Sequence, residues 1–218
     1  VLDNASIKQI GASFLYIKGT YGNNQAISVP ADLIVTDELD FSDEEVVSNF
    51  NSRLTHSKYK WQFALSTPTS YKVGIDKKFR ASKRHFNFTC CDHCGHFFLP
   101  DYYSHVKIPG FTGDLREITA TNIHKFDVEN AKLRCPRCDA VPSLRVEHRE
   151  WICENPSENY VAEGFQVSPF DAPNIITVPY LVRTSTKYKR RADFDNFNLG
   201  LPSEDAESSV LKSDVDRM

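Results

Sequence analysis

What this chain of 218 residues lacks narrows it first. No run of 18 apolar residues occurs anywhere, so a membrane-spanning helix is excluded. The first residues carry neither a basic start nor a long apolar core; no secretory leader is visible, and the cytosol is the expected compartment. None of the nine glycines is followed by lysine, so the phosphate loop G-x-x-x-x-G-K-[ST] is missing. Six cysteines in 24.8 kDa are too few for a disulfide scaffold, and their clustering points to metal instead. The net charge of −3 says little about partners. Position 1 holds valine rather than methionine, which suggests either processing or a portion of a longer protein.

What is present is ordinary globular composition, 40% hydrophobic and 25% charged, in a length able to bury one or two cores. Charge is uneven along it. Lys72, Lys77, Lys78, Arg80, Lys83 and Arg84 face a single acid, Asp76, and a second basic run holds Arg183, Lys187, Lys189, Arg190 and Arg191. Either run suits a polyanion such as DNA; a solvated face is the plainer alternative.

The segment from residue 13 to residue 72 has the rhythm of an open α/β sheet. Ser13 to Lys18 predicts a strand running into a turn at Gly19, Gly22, Asn23 and Asn24. Ala31 to Thr36, with Leu33, Ile34 and Val35 in succession, suits a parallel strand covered on both faces. Ser42 stands three residues before Glu45, a capping box for a helix that carries Val46, Val47, Phe50 and Leu54 on one side. Trp61 to Leu65 predicts the next strand, ending on Ser66-Thr67-Pro68.

The first of these strands ends in Asp37-Glu38, the Walker B arrangement. There one carboxylate holds Mg²⁺ and the next polarises a water for attack on a γ-phosphate. Neighbouring side chains on a strand point to opposite faces, so the chain must turn there for both to reach one nucleotide. An ordinary solvated strand end is the alternative. Ser66 and Thr67 hydroxyls at the second strand end suit a hydrogen bond to an ordered water or to the acidic strand, unless they merely form a turn. A nucleotide site built on Asp37 needs a phosphate loop upstream of Val1 or on another chain.

Cys91-Asp92-His93-Cys94-Gly95 and Cys135-Pro136-Arg137-Cys138-Asp139 are two C-x-x-C knuckles with 40 residues between them. Four thiolates complete a tetrahedral zinc and leave no open position for water, so the site is structural; an iron-sulfur centre fits the same ligand type. Cys90 offers a poorer spacing to Cys94 than Cys91 does, and His93, His96 and Cys153 complete no matched pair. Lys132, Arg134, Arg137 and Arg145 would offset the negative charge of the thiolates or contact phosphate. Tyr102, Tyr103, Val106, Ile108 and Phe111 offer a small satellite core. Further on, Pro156, Pro169, Pro173 and Pro179 argue against one long helix, and residues 203 to 218 form an acidic linker.

Several landmarks fall in a familiar order: Ile10-Gly11-Ala12-Ser13, Leu33 through Asp40, Ser66-Thr67-Pro68 and the two knuckles. Trp151-Ile152 with Gly164, Phe165, Ser168 and Pro169 come next, then Phe197-Asn198 with Leu199-Gly200-Leu201-Pro202. Over residues 8 to 202 the chain resembles the large terminase subunit of tailed bacteriophages, in the branch related to lambda GpA. The resemblance implies an α/β fold, the C-terminal part of a P-loop-type (RecA/ASCE-like) ATPase sheet with an inserted four-cysteine, zinc-ribbon-like module. It divides the chain into residues 1–85 with the Walker B and coupling strands, 86–153 as the zinc insertion, 154–202 as the remaining ATPase region, and 203–218 as a linker towards a nuclease.

By the same resemblance Asp37 is the magnesium carboxylate, Glu38 activates the hydrolytic water, and Ser66, Thr67 and Pro68 couple phosphate state to the next segment. ATP and Mg²⁺ belong to the complete protein, Zn²⁺ to Cys91, Cys94, Cys135 and Cys138. The implied partners are double-stranded DNA, touched by Lys77, Lys78, Arg80, Lys83, Arg84, Lys187, Lys189, Arg190 and Arg191, a small terminase subunit and the procapsid portal. The implied motor is homo-oligomeric and works in the host cytoplasm. The adenine-binding start and the RNase H-like nuclease are missing, so residues 1–218 alone are expected to be inactive, and Asp214 and Asp216 receive no nuclease role. Two other classes share these features: a helicase-like ATPase fragment, and a zinc-ribbon nucleic-acid-binding module without enzymatic activity.

Overall fold

A computed structural model describes residues 6–20 and 29–203. The turn expected at Gly22 to Asn24, the tail from residue 204 and Asp214 and Asp216 lie outside them. The chain divides into two compact units, Val1–Ser66 and Thr67–Met218.

In the first unit, β1 (Ile7–Ile10) and β2 (Ser13–Tyr16) form an antiparallel hairpin turning at Gly11, whose φ of 61° is the left-handed conformation such turns need. β3 (Leu33–Thr36) and β4 (Trp61–Ala64) pair in parallel, with Leu33 opposite Trp61 and Val35 opposite Phe63. Between them α1 (Glu44–Asn51) and a short 3-10 turn bury Val46, Val47 and Leu54. The helix cap is one residue later than expected. Asp43 accepts from the Glu45 and Val46 amides, whereas the Ser42 hydroxyl donates to the Glu38 carbonyl. Asp43 wins because its carboxylate is charged and reaches two orphan amides at the positive end of the helix.

The sheet of β3 and β4 is not covered on both faces. Leu33, Val35, Trp61, Phe63 and Leu65 are between 44 and 58% exposed. Helix α1 packs against β3 and can shield one side only; among the described residues nothing covers the other.

In the second unit, α2 (Gly74–Arg80) leads into β5 (Lys83–Cys90), the spine of a four-stranded sheet. β10 (Glu163–Gln166) runs parallel to β5, while β9 (Arg149–Cys153) and β6 (Phe97–Phe98) run antiparallel to it. Gly164 is obligatory for this packing, since a Cβ there would lie 2.2 Å from Ser82 Oγ and 2.8 Å from the Phe79 ring. Beyond β6, α3 (Tyr102–His105) precedes β7 (Val106–Lys107), which pairs with β8 (Lys132–Leu133).

The prolines break the later chain as expected. α4 (Val178–Ser185) is short, has Pro179 in its first turn and is capped by Thr177. α5 (Arg191–Phe194) passes into a five-residue π-helix, Asp195–Leu199, which Gly200 ends at φ 65°. The satellite core expected between the knuckles is not separate. Tyr102, Val106, Ile108, Leu115, Ile118 and Leu133 share one core with Cys91 and Cys135 and with Phe170, Leu181, Val182, Phe194 and Leu199 from the later chain. A module this small gains its apolar burial only by recruiting those helices.

Candidate functional site

The two knuckles are built by one local rule. The Cys91 amide donates to the His96 carbonyl at 2.9 Å and the Gly95 amide to the Cys91 carbonyl at 2.8 Å. At the same offsets the Cys135 amide donates to Ala140 at 2.9 Å and the Asp139 amide to Cys135 at 3.0 Å. The fifth residue of each turn is left-handed, Gly95 at φ 68° and Asp139 at φ 58°. Glycine adopts that conformation freely and aspartate is among the residues that tolerate it. The turns aim amides at sulfur: those of His93 and Cys94 at Cys91, of Arg137 and Cys138 at Cys135, of His96 at Cys94 and of Ala140 at Cys138.

These knuckles bring four sulfurs together. Sγ of Cys91 lies 3.7 Å from that of Cys138, Sγ of Cys94 lies 3.7 Å from that of Cys135, and all four fall within 4.8 Å of one another. A tetrahedron with metal–sulfur bonds of ~2.3 Å has sulfur–sulfur edges of ~3.8 Å. None of the four is in a disulfide. The set fits a thiophilic ion such as zinc, with Cys91 and Cys135 buried and Cys138 at the surface. Burial pushes the Cys91 thiol up; at Cys135 burial acts the same way, but the amides of Cys138 and Arg137 and the thiols of Cys94 and Cys138 outweigh it and bring the thiol down to about 7.

Geometry also chooses between neighbouring cysteines. Cys90 is the last residue of β5, paired with Phe97, and Cys153 sits opposite His85 on β9; neither joins the cluster, nor do His93 and His96. Two contacts brace it. Arg134 Nη1 donates to the Asp139 carbonyl at 3.1 Å, and Asp92 Oδ1 accepts from the Ser143 amide at 3.0 Å, which holds the Asp92 carboxyl below its usual range. Arg145 pairs with Glu147, and Lys132 and Arg137 are exposed.

At the end of β3 the backbone turns where a shared ligand for two adjacent carboxylates requires it. Asp37 Oδ1 accepts from the Glu38 amide at 3.0 Å, and Glu38 is left-handed at φ 51°, unusual for a residue with a long side chain. Two bonds tie this end to the end of β4: the Leu39 amide donates to the Leu65 carbonyl at 3.1 Å and the Asp40 amide to Ser66 Oγ at 3.0 Å. Both carboxylates are exposed, and the Ser66 hydroxyl anchors on the acidic strand end through the Asp40 amide.

No protein-family model, curated protein or solved structure matches this chain. Its site chemistry therefore rests on its own residues.

Several of the bases expected to meet DNA have partners within the unit. Arg80 pairs with buried Asp76 at 2.7 Å, Arg84 with Glu154 at 2.7 Å, and Lys83 with Glu163 at 4.0 Å. Arg191 donates to the carbonyls of Arg116 and Ile118. Lys77 and Lys78 on α2, and Lys187, Lys189 and Arg190 after α4, are at least partly exposed. Sequence reasoning missed Arg149, a buried guanidinium that pairs with Asp171 at 3.2 Å and caps the Leu144 and Phe170 carbonyls. It also missed Asn196, which stands just before the Phe197-Asn198 landmark and carries no motif of its own. No helix of the described residues is long and apolar enough to cross a membrane.

Proposed function

We propose that this chain is part of the large terminase subunit of a tailed bacteriophage, a motor that couples ATP hydrolysis to movement of double-stranded DNA into a procapsid and cuts the concatemer. The observation that carries the reading is the acidic strand end: Asp37 closes a parallel strand, the chain turns at Glu38, and the adjoining strand meets it through Ser66. In α/β sheets working groups collect at such carboxyl ends. Asp37 is then the magnesium ligand, Glu38 the group that orients the attacking water, and Ser66 to Pro68 the coupling element. The phosphate cradle comes from outside residues 1–218, because they contain no phosphate loop. The four cysteines hold a structural Zn²⁺, the sheet is part of an ATPase core, and the small subunit, the portal and further copies of the subunit are the partners in the host cytoplasm.

Steady-state phosphate release by the protein with its phosphate loop tests the reading. Glu38→Gln should keep nucleotide binding and lower turnover by at least about a hundredfold, the usual contribution of a positioned base. Asp37→Ala should weaken Mg²⁺-dependent binding as well. Wild-type turnover by Glu38→Gln refutes the assignment.

The sulfur cluster favours a second reading, a zinc-ribbon module that binds nucleic acid without enzymatic activity. It requires duplex binding that depends on the metal and is indifferent to Glu38.

A further inference from the structure

The Asp195–Leu199 π-helix belongs to neither the metal centre nor the acidic strand end. Such irregular turns recur at functional positions. Its second residue, Asn196, is only 7% exposed, and its Nδ2 donates to three carbonyl oxygens: Pro68 at 2.5 Å, Thr69 at 2.8 Å and Leu201 at 3.0 Å. A side-chain amide carries two hydrogens, so one is shared between two acceptors. The next contacts lie alongside. Ser203 Oγ donates to the Thr69 carbonyl at 2.9 Å, the Tyr71 amide donates to the Ser203 carbonyl at 3.0 Å, and Ser70 and Ser203 form a parallel bridge.

The other side of this contact is buried. Phe194 and Leu199, 0 and 4% exposed, flank Asn196 in the core that also holds Cys91 and Cys135. Asp195 accepts from the Tyr103 hydroxyl, and the Phe194 ring meets Tyr102 at 5.3 Å. One buried amide thus joins the residues just after Ser66 to the metal-bearing core.

We propose that Asn196 is the positioning residue of the segment that follows Ser66: its side-chain amide holds the Pro68 and Thr69 carbonyls to the metal-bearing core, with the Ser203 contacts alongside, so that a displacement of the segment reaches that core. The inference rests on Ser66 to Pro68 being a coupling element, and it names the group that receives the movement. A buried amide facing three carbonyls is hard to replace, since alanine removes their common donor and leaves Thr69 only its Ser203 contacts, and aspartate presents them with a charge of like sign.

Amide hydrogen exchange, read residue by residue in the zinc-loaded chain, tests it. Asn196→Ala should speed exchange of the Tyr71 and Ser203 amides by at least about tenfold, while the Cys91 and Cys135 amides keep their rates and zinc content is unchanged. Ser203→Ala should give a smaller increase at Tyr71, and Asn198→Ala, in the same π-helix, none. Unchanged exchange at Tyr71 in Asn196→Ala overturns the proposal. So does uniform acceleration that includes both knuckles, because Asn196 is then a general support of the fold. If Asn196→Ala does not fold, Asn196→Asp, which keeps the shape of the side chain and removes its donor, decides at the same amides by the same criteria. This measurement needs no nucleotide, whereas the motor reading depends on turnover by Glu38→Gln, so either can fail while the other stands.

Discussion

Alanine at Cys91 removes one corner of the sulfur tetrahedron, and alanine at the adjacent Cys90 should leave the metal in place. Two contributions make up the difference. Cys91 is 0% exposed and lies in the main core, so losing its sulfur forfeits about 1 kcal/mol of apolar burial and packing. The larger contribution is the metal. An ion that binds only the folded chain stabilises it by about 4 kcal/mol when its free concentration is about a thousand times the dissociation constant, and a three-thiolate remnant forfeits most of that. Cys91→Ala should therefore lose about 5 kcal/mol under those conditions. Cys90 is half-buried with its sulfur outside the cluster, so Cys90→Ala should lose about 1 kcal/mol or less. Elemental analysis under reducing conditions, paired with urea denaturation with and without a chelator, reads both contributions. The wild type and Cys90→Ala should carry one zinc per chain and lose stability on chelation, and Cys91→Ala should be insensitive to the chelator. One tightly held zinc in Cys91→Ala, or equal losses for the two variants, refutes the ligand assignment.

Gly164→Ala should lower stability by about 2 to 4 kcal/mol in thermal unfolding, because the added methyl displaces a Ser82 hydroxyl held to the Phe79 carbonyl at 2.6 Å. A second change, Ser82→Gly, should recover part of that loss. Asp43→Ala should destabilise α1 by about 1 kcal/mol and Ser42→Ala by less, with the reverse order restoring Ser42 as the cap. Fluorescence anisotropy with random duplex DNA should show affinity falling as salt rises. Alanine at Lys77 or Lys78 should each lower the salt slope by about 1, while Arg191→Ala should act chiefly on stability through the carbonyls it caps. Salt-independent binding returns the basic runs to solvated faces.

Local rules are legible in a linear chain. Two matched C-x-x-C turns announce a metal set because each turn closes within six residues, and Val46 and Val47 on α1 with Leu54 in the turn after it announce a buried side because helical period needs no distant partner. The unbroken apolar run Leu33 to Val35 suited a parallel strand, and β3 does pair in parallel with β4, but the burial on both faces that such a run implies is absent among the described residues. By themselves these patterns also marked Asp37-Glu38 as a strand end of interest. The spacing to Cys94 already favoured Cys91 over Cys90, and the fold bears that out by setting Cys138 3.7 Å from Cys91, across 47 positions of the chain. What the patterns left undecided were choices made by groups distant in sequence. Arg84 is paired with Glu154 and Arg191 is held to the Arg116 carbonyl, though each reads locally as part of a basic run. Asn196 carries no motif, and its role exists only because tertiary packing sets three carbonyls around one amide, two of them more than 120 positions away. Backbone turns and apolar periods are short-range and therefore written in sequence, whereas charge pairing and buried hydrogen bonding depend on which distant groups the fold brings within about 3 Å.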